Sequence, residues 1–203
     1  MVDPLVLLAF VPAALALNLT PGADMMFCVA QGLKSGPRAA WLASAGISTG
    51  SLIHVLIAGA GLSAFLAKFP VAFDVIRWAG VAYLLWLAWQ AFRAADHAIE
   101  AAPQALGKAF RTGLIVNLTN PKVILFVLAF IPQFVSPGAG PVWLQFLTFG
   151  CIIALGGFVI NGTVGMSAGT LGARIAKGSR LLDRLTAGIF AALALRLALL
   201  ERS

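Results

Sequence analysis

Charge is scarce in this chain: charged residues make up 10% of its 203 residues and apolar residues 61%, against about 25% and 45–50% in soluble domains. That excludes an ordinary soluble domain, which would lack the polar groups to cover its surface. Cysteine and histidine are scarce too, with only Cys28, Cys151, His54 and His97. Two cysteines that both fall in apolar stretches build no disulfide framework. Two histidines in such different settings assemble neither a zinc-spaced cluster nor a Ser/His/Asp set, and no phosphate-binding glycine loop is present. The sequence therefore predicts no enzyme, no catalytic residue, no metal site and no cofactor.

What the chain does have is long apolar runs. A bilayer core of about 30 Å takes about 20 residues of helix. Six runs approach that length, at residues 5–31, 39–67, 71–92, 110–135, 142–171 and 181–200. The expected fold is an all-α polytopic membrane protein of six transmembrane helices, forming one membrane domain over residues 1–203. The first run contains a cleavage-like Ala14-Leu15-Ala16, but Asp3 stands where a signal peptide would have a basic region, so it is read as the first helix.

A net charge of +7 in a soluble protein would suggest nucleic acid; here the basic residues sort by side. Lys34, Arg38, Arg93, Lys108, Arg111, Arg174, Lys177, Arg180 and Arg184 fall in alternate loops, whereas Lys68 and Arg202 fall opposite. The positive-inside rule then puts both termini outside the cytoplasm. The partners implied are a lipid bilayer and no nucleic acid. Trp78, Trp86, Trp89, Trp143 and Tyr83 read as interfacial anchors. Arg77, three residues from Asp74, and Arg196 read as snorkelling side chains.

The two halves echo each other. Asn18-Leu19-Thr20-Pro21-Gly22 has a counterpart in Asn117-Leu118-Thr119-Asn120-Pro121-Lys122, with the prolines 100 residues apart. Gly50, His54 and Ala58 recur as Gly157, Asn161 and Gly165 at an offset of 107, and Gly80 matches Gly188 at 108. Units of three helices, residues 1–95 and 108–203, must enter the membrane from opposite sides, which makes an inverted repeat of the kind common in transporters.

Proline removes a helical donor, so Pro21 with Gly22, and Pro121, should break helices one and four. Pro21 stands 13 residues before Lys34 and Pro121 stands 10 after Arg111, so each break lies about 15–20 Å from the cytoplasmic charges, near the midplane. Thr20-Pro21 and Asn120-Pro121 read as N-cap followed by proline at the first helical position. Two half-helix N-termini meeting centrally would favour an anion such as a carboxylate.

Asp24 and Lys122 are ionisable groups at those breaks, costly in a membrane unless paired, hydrated or neutralised. Lys122 at a helix N-terminus opposes the dipole and calls for an anion, either Asp24 or a bound carboxylate. Asp24 is open to three roles: pairing with Lys122, holding a substrate ammonium, or carrying a coupling proton. His54 either hydrogen-bonds across to a neighbouring helix or shuttles protons, and Asn161 either bonds between helices or lines a pathway. The asparagines of three Asn-X-Thr triplets, Asn18, Asn117 and Asn161, are read as polar intramembrane residues. The small-residue face from Gly46 to Ala58 suits close packing within the chain or between copies, so a homo-oligomer stays open.

Taken together, NLTPGADMM, the GxxxGxxxH of helix two, AGVAYLLWLAW and GLIVNLTNPKVILFVLAFIPQF resemble the LysE/RhtB family of amino-acid exporters over essentially the whole chain. The family pattern usually has a second proline where this chain has Ala23. The resemblance implies export of a small amino acid or derivative from a bacterium across its inner membrane, driven by an ion gradient, most simply proton influx with alternating access. It places Pro21, Gly22, Asp24, Asn120, Pro121 and Lys122 on the matching motifs, beside Asn18, Thr20 and Asn117 as substrate-binding candidates. Related families suggest two alternatives, a divalent-metal exporter and a transmembrane thiol-redox conduit, and the ligands either would need are few here.

Overall fold

The computed structural model describes residues 2–68, 75, 78, 81–83, 85–89, 105–168 and 180–199. Among them the regular structure is helical throughout, with no strand. The third expected span lies mostly outside the described residues, as do Asp74, Arg77, Gly80, Arg93, His97, Arg174, Lys177 and Arg202. The Gly80 to Gly188 echo falls outside for the same reason.

Helix α1, Pro4–Leu19, starts where the Asp3 carboxylate accepts the Leu5 N–H at 2.8 Å and Pro4 occupies the first turn. It stops at Thr20, and α2, Ala23–Ser35, runs on at 53° to it. Gly36, at φ +86°, closes α2, a conformation that glycine adopts without strain, and Pro37 opens the long α3, Pro37–Lys68. The second half repeats the bend: α4, Leu106–Leu118, is followed by α5, Pro121–Ala129, and the stretch Pro121–Phe134 lies at 53° to α4.

After α5 come 3-10 turns at Ile131–Phe134 and Pro137–Ala139. Gln145 ties the second one down, accepting from the Ser136 N–H at 3.0 Å and donating to the Ser136 and Gly140 carbonyls. Helices α6, Val142–Met166, and α7, Arg180–Leu199, follow. Pro37–Gly61 and Val142–Met166 are each long and apolar enough to cross a membrane alone, and the two bent pairs bring the described spans to as many as four. Leu5, Leu8, Ile57, Ile115, Leu155 and Leu195 are all exposed. An apolar exterior of this kind needs lipid as its solvent. The chain is a polytopic helical membrane protein.

Glycines let the central helices touch. A Cβ on Gly46 would run into the Phe110 carbonyl, one on Gly113 into Ala43, and one on Gly32 into the Gly165 carbonyl. The small face of α3 is thus used inside the chain, against α4. These contacts also bring the exposed Lys34, Arg38, Lys108 and Arg111 to one end of the bundle. Towards the other end, Phe10 sits at the centre of Phe126, Phe130, Phe134 and Phe149, with centroids 4.7–6.4 Å away. Val81, Tyr83, Leu87 and Ala88 join that core. Gly46→Leu is expected to force α3 from α4 and cost about 3 kcal/mol or more, read as a lower melting temperature in detergent; an unchanged melt would refute the contact.

Candidate substrate site

The two breaks differ in how they are built. At the first, Thr20 does not cap the following half-helix as the sequence suggests. Its N–H and its hydroxyl both return to the Ala16 carbonyl, closing α1. Pro21 disfavours the helical region for the residue before it, and Thr20 accordingly sits at ψ 117°. Helix α2 starts only after Gly22, which offers no side chain to cap it. Its first turn therefore receives no side-chain cap from Gly22. At the second break Asn120 caps α5, its Oδ1 accepting the Lys122 N–H at 3.0 Å with Pro121 at the first position.

Lys122 reaches from the second break to the first. Its Nζ donates to the Leu17 and Thr20 carbonyls, both at 3.0 Å. These oxygens lie at the C-terminal, negative end of α1, which is where a cation is favoured. The mismatch between Lys122 and its own helix dipole is thus offset by the other broken helix. Gly22 gives the lysine room: a Cβ there would stand 3.3 Å from Nζ. Its φ of −173° is open to any residue, so what the glycine contributes is a little space beside the ammonium rather than a special backbone conformation.

Asp24 is buried in the first turn of α2, where the dipole favours an acid. Its Oδ2 accepts from Asn117 Nδ2 at 2.9 Å, and its Oδ1 has no hydrogen-bond partner among the described residues. Asp24 therefore takes its hydrogen bond from Asn117 and Lys122 gives its own to carbonyls, although both line one cavity. Asn117 is held in turn by Ser51, 3.4 Å from its Oδ1, and by His54, whose Nε2 lies 3.2 Å from the Asn117 carbonyl. A carbonyl only accepts, so the proton of that contact sits on Nε2.

The cavity is small, about 350 Å³ of empty space counted out through its open mouth. Asn18, Thr20, Asp24, Ser48, Ser51, Lys122 and Asn161 supply its polar wall, and Leu17, Met25, Ile47, Val123 and Ile153 much of the apolar wall. Of the residues singled out in the sequence, five line the cavity. Pro21 and Pro121 shape the breaks, Gly22 clears space, Asn120 caps, and Asn117 and His54 stand behind Asp24. Asn18 Nδ2 donates to the Ile153 carbonyl at 3.1 Å. Ser48 and Ser51 were missed, although Ser44, Ser48 and Ser51 form a hydroxyl stripe at helical spacing. Gln31, fully buried two turns beyond Asp24 with neither side-chain polar atom partnered among the described residues, was missed as well.

The contacts between halves are reciprocal. A Cβ on Gly50 would meet Asn117, and one on Gly157 would meet Asn18. No group of three or more His, Cys, Asp or Glu side chains stands together among the described residues, and Cys28 and Cys151 are both free thiols. The divalent-metal and thiol-redox alternatives thus gain no supporting observation.

A family model described as LysE type translocator matches residues 15–201. The chain belongs to the LysE-type translocator family. This translocator is 37% identical over 145 residues to a homoserine/homoserine lactone efflux protein of Salmonella typhi, covering 70% of each chain. It is 36% identical over 171 residues to the protein of the same name in Salmonella typhimurium, covering 83% of this chain and 81% of that one. A leucine efflux protein of Enterobacter sp. strain 638 is 29% identical over 200 residues, covering 95% of this translocator and 94% of the relative. No solved structure matches the translocator.

Proposed function

We propose that this translocator is a secondary active exporter of a small amino acid or amino-acid derivative, working by alternating access and driven by proton influx. The observation that carries the reading is the meeting of two broken helices at one polar cavity, with Asp24 buried and Lys122 half-buried on its wall. Ionisable groups are retained at such depth in a membrane chiefly where a substrate or ion passes. The named substrates of the relatives, homoserine, its lactone and leucine, are small molecules bearing a primary amine and a carboxyl or lactone carbonyl. Lys122, with a third N–H beyond the two it spends on carbonyls, and the uncapped start of α2 suit the oxygen-bearing end of such a molecule.

The matched 53° bends and the reciprocal Gly50–Asn117 and Gly157–Asn18 contacts support two inverted units. These would rock about the breaks, which lie near the midplane. Rocking would part the Gly32–Gly165 seam at the charged end in one state and the Phe10 cluster in the other. With the charged end cytoplasmic, the protein sits in a bacterial inner membrane with both termini outside. A proton exchanged on Asp24, with His54 adjusting Asn117 behind it, would couple influx to export.

Counterflow into proteoliposomes preloaded with unlabelled homoserine or leucine tests the reading. Accumulation of the matching labelled amino acid is expected, and its absence across a panel of amino acids and lactones would refute amino-acid transport.

A further inference from the structure

Three polar atoms on the cavity wall have no hydrogen-bond partner among the described residues: Asp24 Oδ1, Ser48 Oγ and Asn161 Oδ1. They come from three helices, α2, α3 and α6, and their residues are only 6%, 9% and 4% exposed. An unpartnered buried polar atom is expensive, and three around one space mark a place built for something that supplies donors. Two of the three atoms are pure acceptors and the third is a hydroxyl that also accepts.

We infer that Asp24 Oδ1, Ser48 Oγ and Asn161 Oδ1 form the receptor for the substrate's primary ammonium, and that this end of the molecule, rather than the carboxylate, sets the substrate class. An ammonium carries three N–H donors and a positive charge, matching three acceptors of which one is a carboxylate. A water in the same place offers two donors and no charge. Asn117 occupies Oδ2 of Asp24 and leaves Oδ1 without a partner among the described residues. Lys122, which lines the same cavity, offers a donor on Nζ that leaves the oxygen-bearing end free to be a carboxylate, an ester or a lactone. Attaching an acyl group to the nitrogen removes both its charge and two of its donors. The class is therefore small molecules with a free primary amine, whatever the state of the carboxyl group. The inference rests on the exporter reading for its substrate, and its test is a binding measurement that stands apart from transport.

Purified full-length protein is equilibrated with labelled homoserine and competed with homoserine lactone, leucine and N-acetylhomoserine. The two free amines are expected to compete and the N-acetyl compound is not. Ser48→Ala and Asn161→Ala, which remove acceptors without adding bulk, are each expected to weaken homoserine about tenfold while keeping the wild-type melting temperature. Competition by N-acetylhomoserine equal to that of leucine would overturn the inference. So would wild-type affinity in both variants, or failure of every free amine to bind. The expected binding pattern with no movement of any amine in wild-type liposomes would leave the receptor standing and remove the exporter reading instead.

Discussion

Asp24→Asn is expected to reduce substrate efflux at least about 100-fold. Losing the carboxylate that would face a bound substrate's ammonium costs about 3 kcal/mol or more of binding, and each 1.4 kcal/mol is about tenfold. The substitution keeps the side chain's size, and its amide oxygen can still accept from Asn117 Nδ2, which now approaches Asp24 Oδ2 at 2.9 Å. The fold should therefore survive, with membrane insertion and melting temperature near those of the unaltered protein. What disappears is the negative charge facing the cavity, and with it any proton that Asp24 carries. Asp24→Asn protein that folds normally and exports at the normal rate would remove Asp24 from the mechanism.

Lys122→Ala is expected to abolish export as well, but with a second signature. The lysine bridges the Leu17 and Thr20 carbonyls at the end of α1, and truncation leaves both oxygens without that donor. Leaving buried polar groups unsatisfied costs about 1–3 kcal/mol apiece, so the melting temperature should fall, whereas that of Asp24→Asn should not. Lys122→Arg keeps the charge but presents a planar fork in place of a compact ammonium. Nζ packs beside Gly22, and the larger guanidinium should restore part of the stability and little of the transport. Equal melting temperatures for Asp24→Asn and Lys122→Ala would show that the bridge to α1 carries no weight.

The sequence marks much of this site, because breaks and buried charges leave strong local signals. Pro21 and Pro121 announce the interruptions, and Asn120 before Pro121 reads correctly as a cap since the cap and the helix it serves are adjacent in the chain. Thr20 before Pro21 carries the same local signal and behaves otherwise. Its hydroxyl had a competing acceptor one turn back, the Ala16 carbonyl, and helix α2 does not begin until Ala23. The partners of Lys122 were illegible because backbone carbonyls more than a hundred residues away leave no mark in the sequence around it. Ser48 passed unnoticed for a related reason: a serine on an apolar helix gains meaning only when Asp24 and Asn161 are brought to the same space by other helices. The small face of α3 could be read as a packing surface, yet only the contacts of Gly46 with Phe110 and of Gly50 with Asn117 say which helix it serves.

The measurement that tests the account most directly is efflux of labelled homoserine or leucine from proteoliposomes under an imposed proton gradient, with Asp24→Asn alongside. Outward movement accelerated by an acidic exterior, accompanied by inward proton flux and lost in Asp24→Asn, is the expected result. Movement indifferent to the gradient, or undiminished in Asp24→Asn, would contradict it.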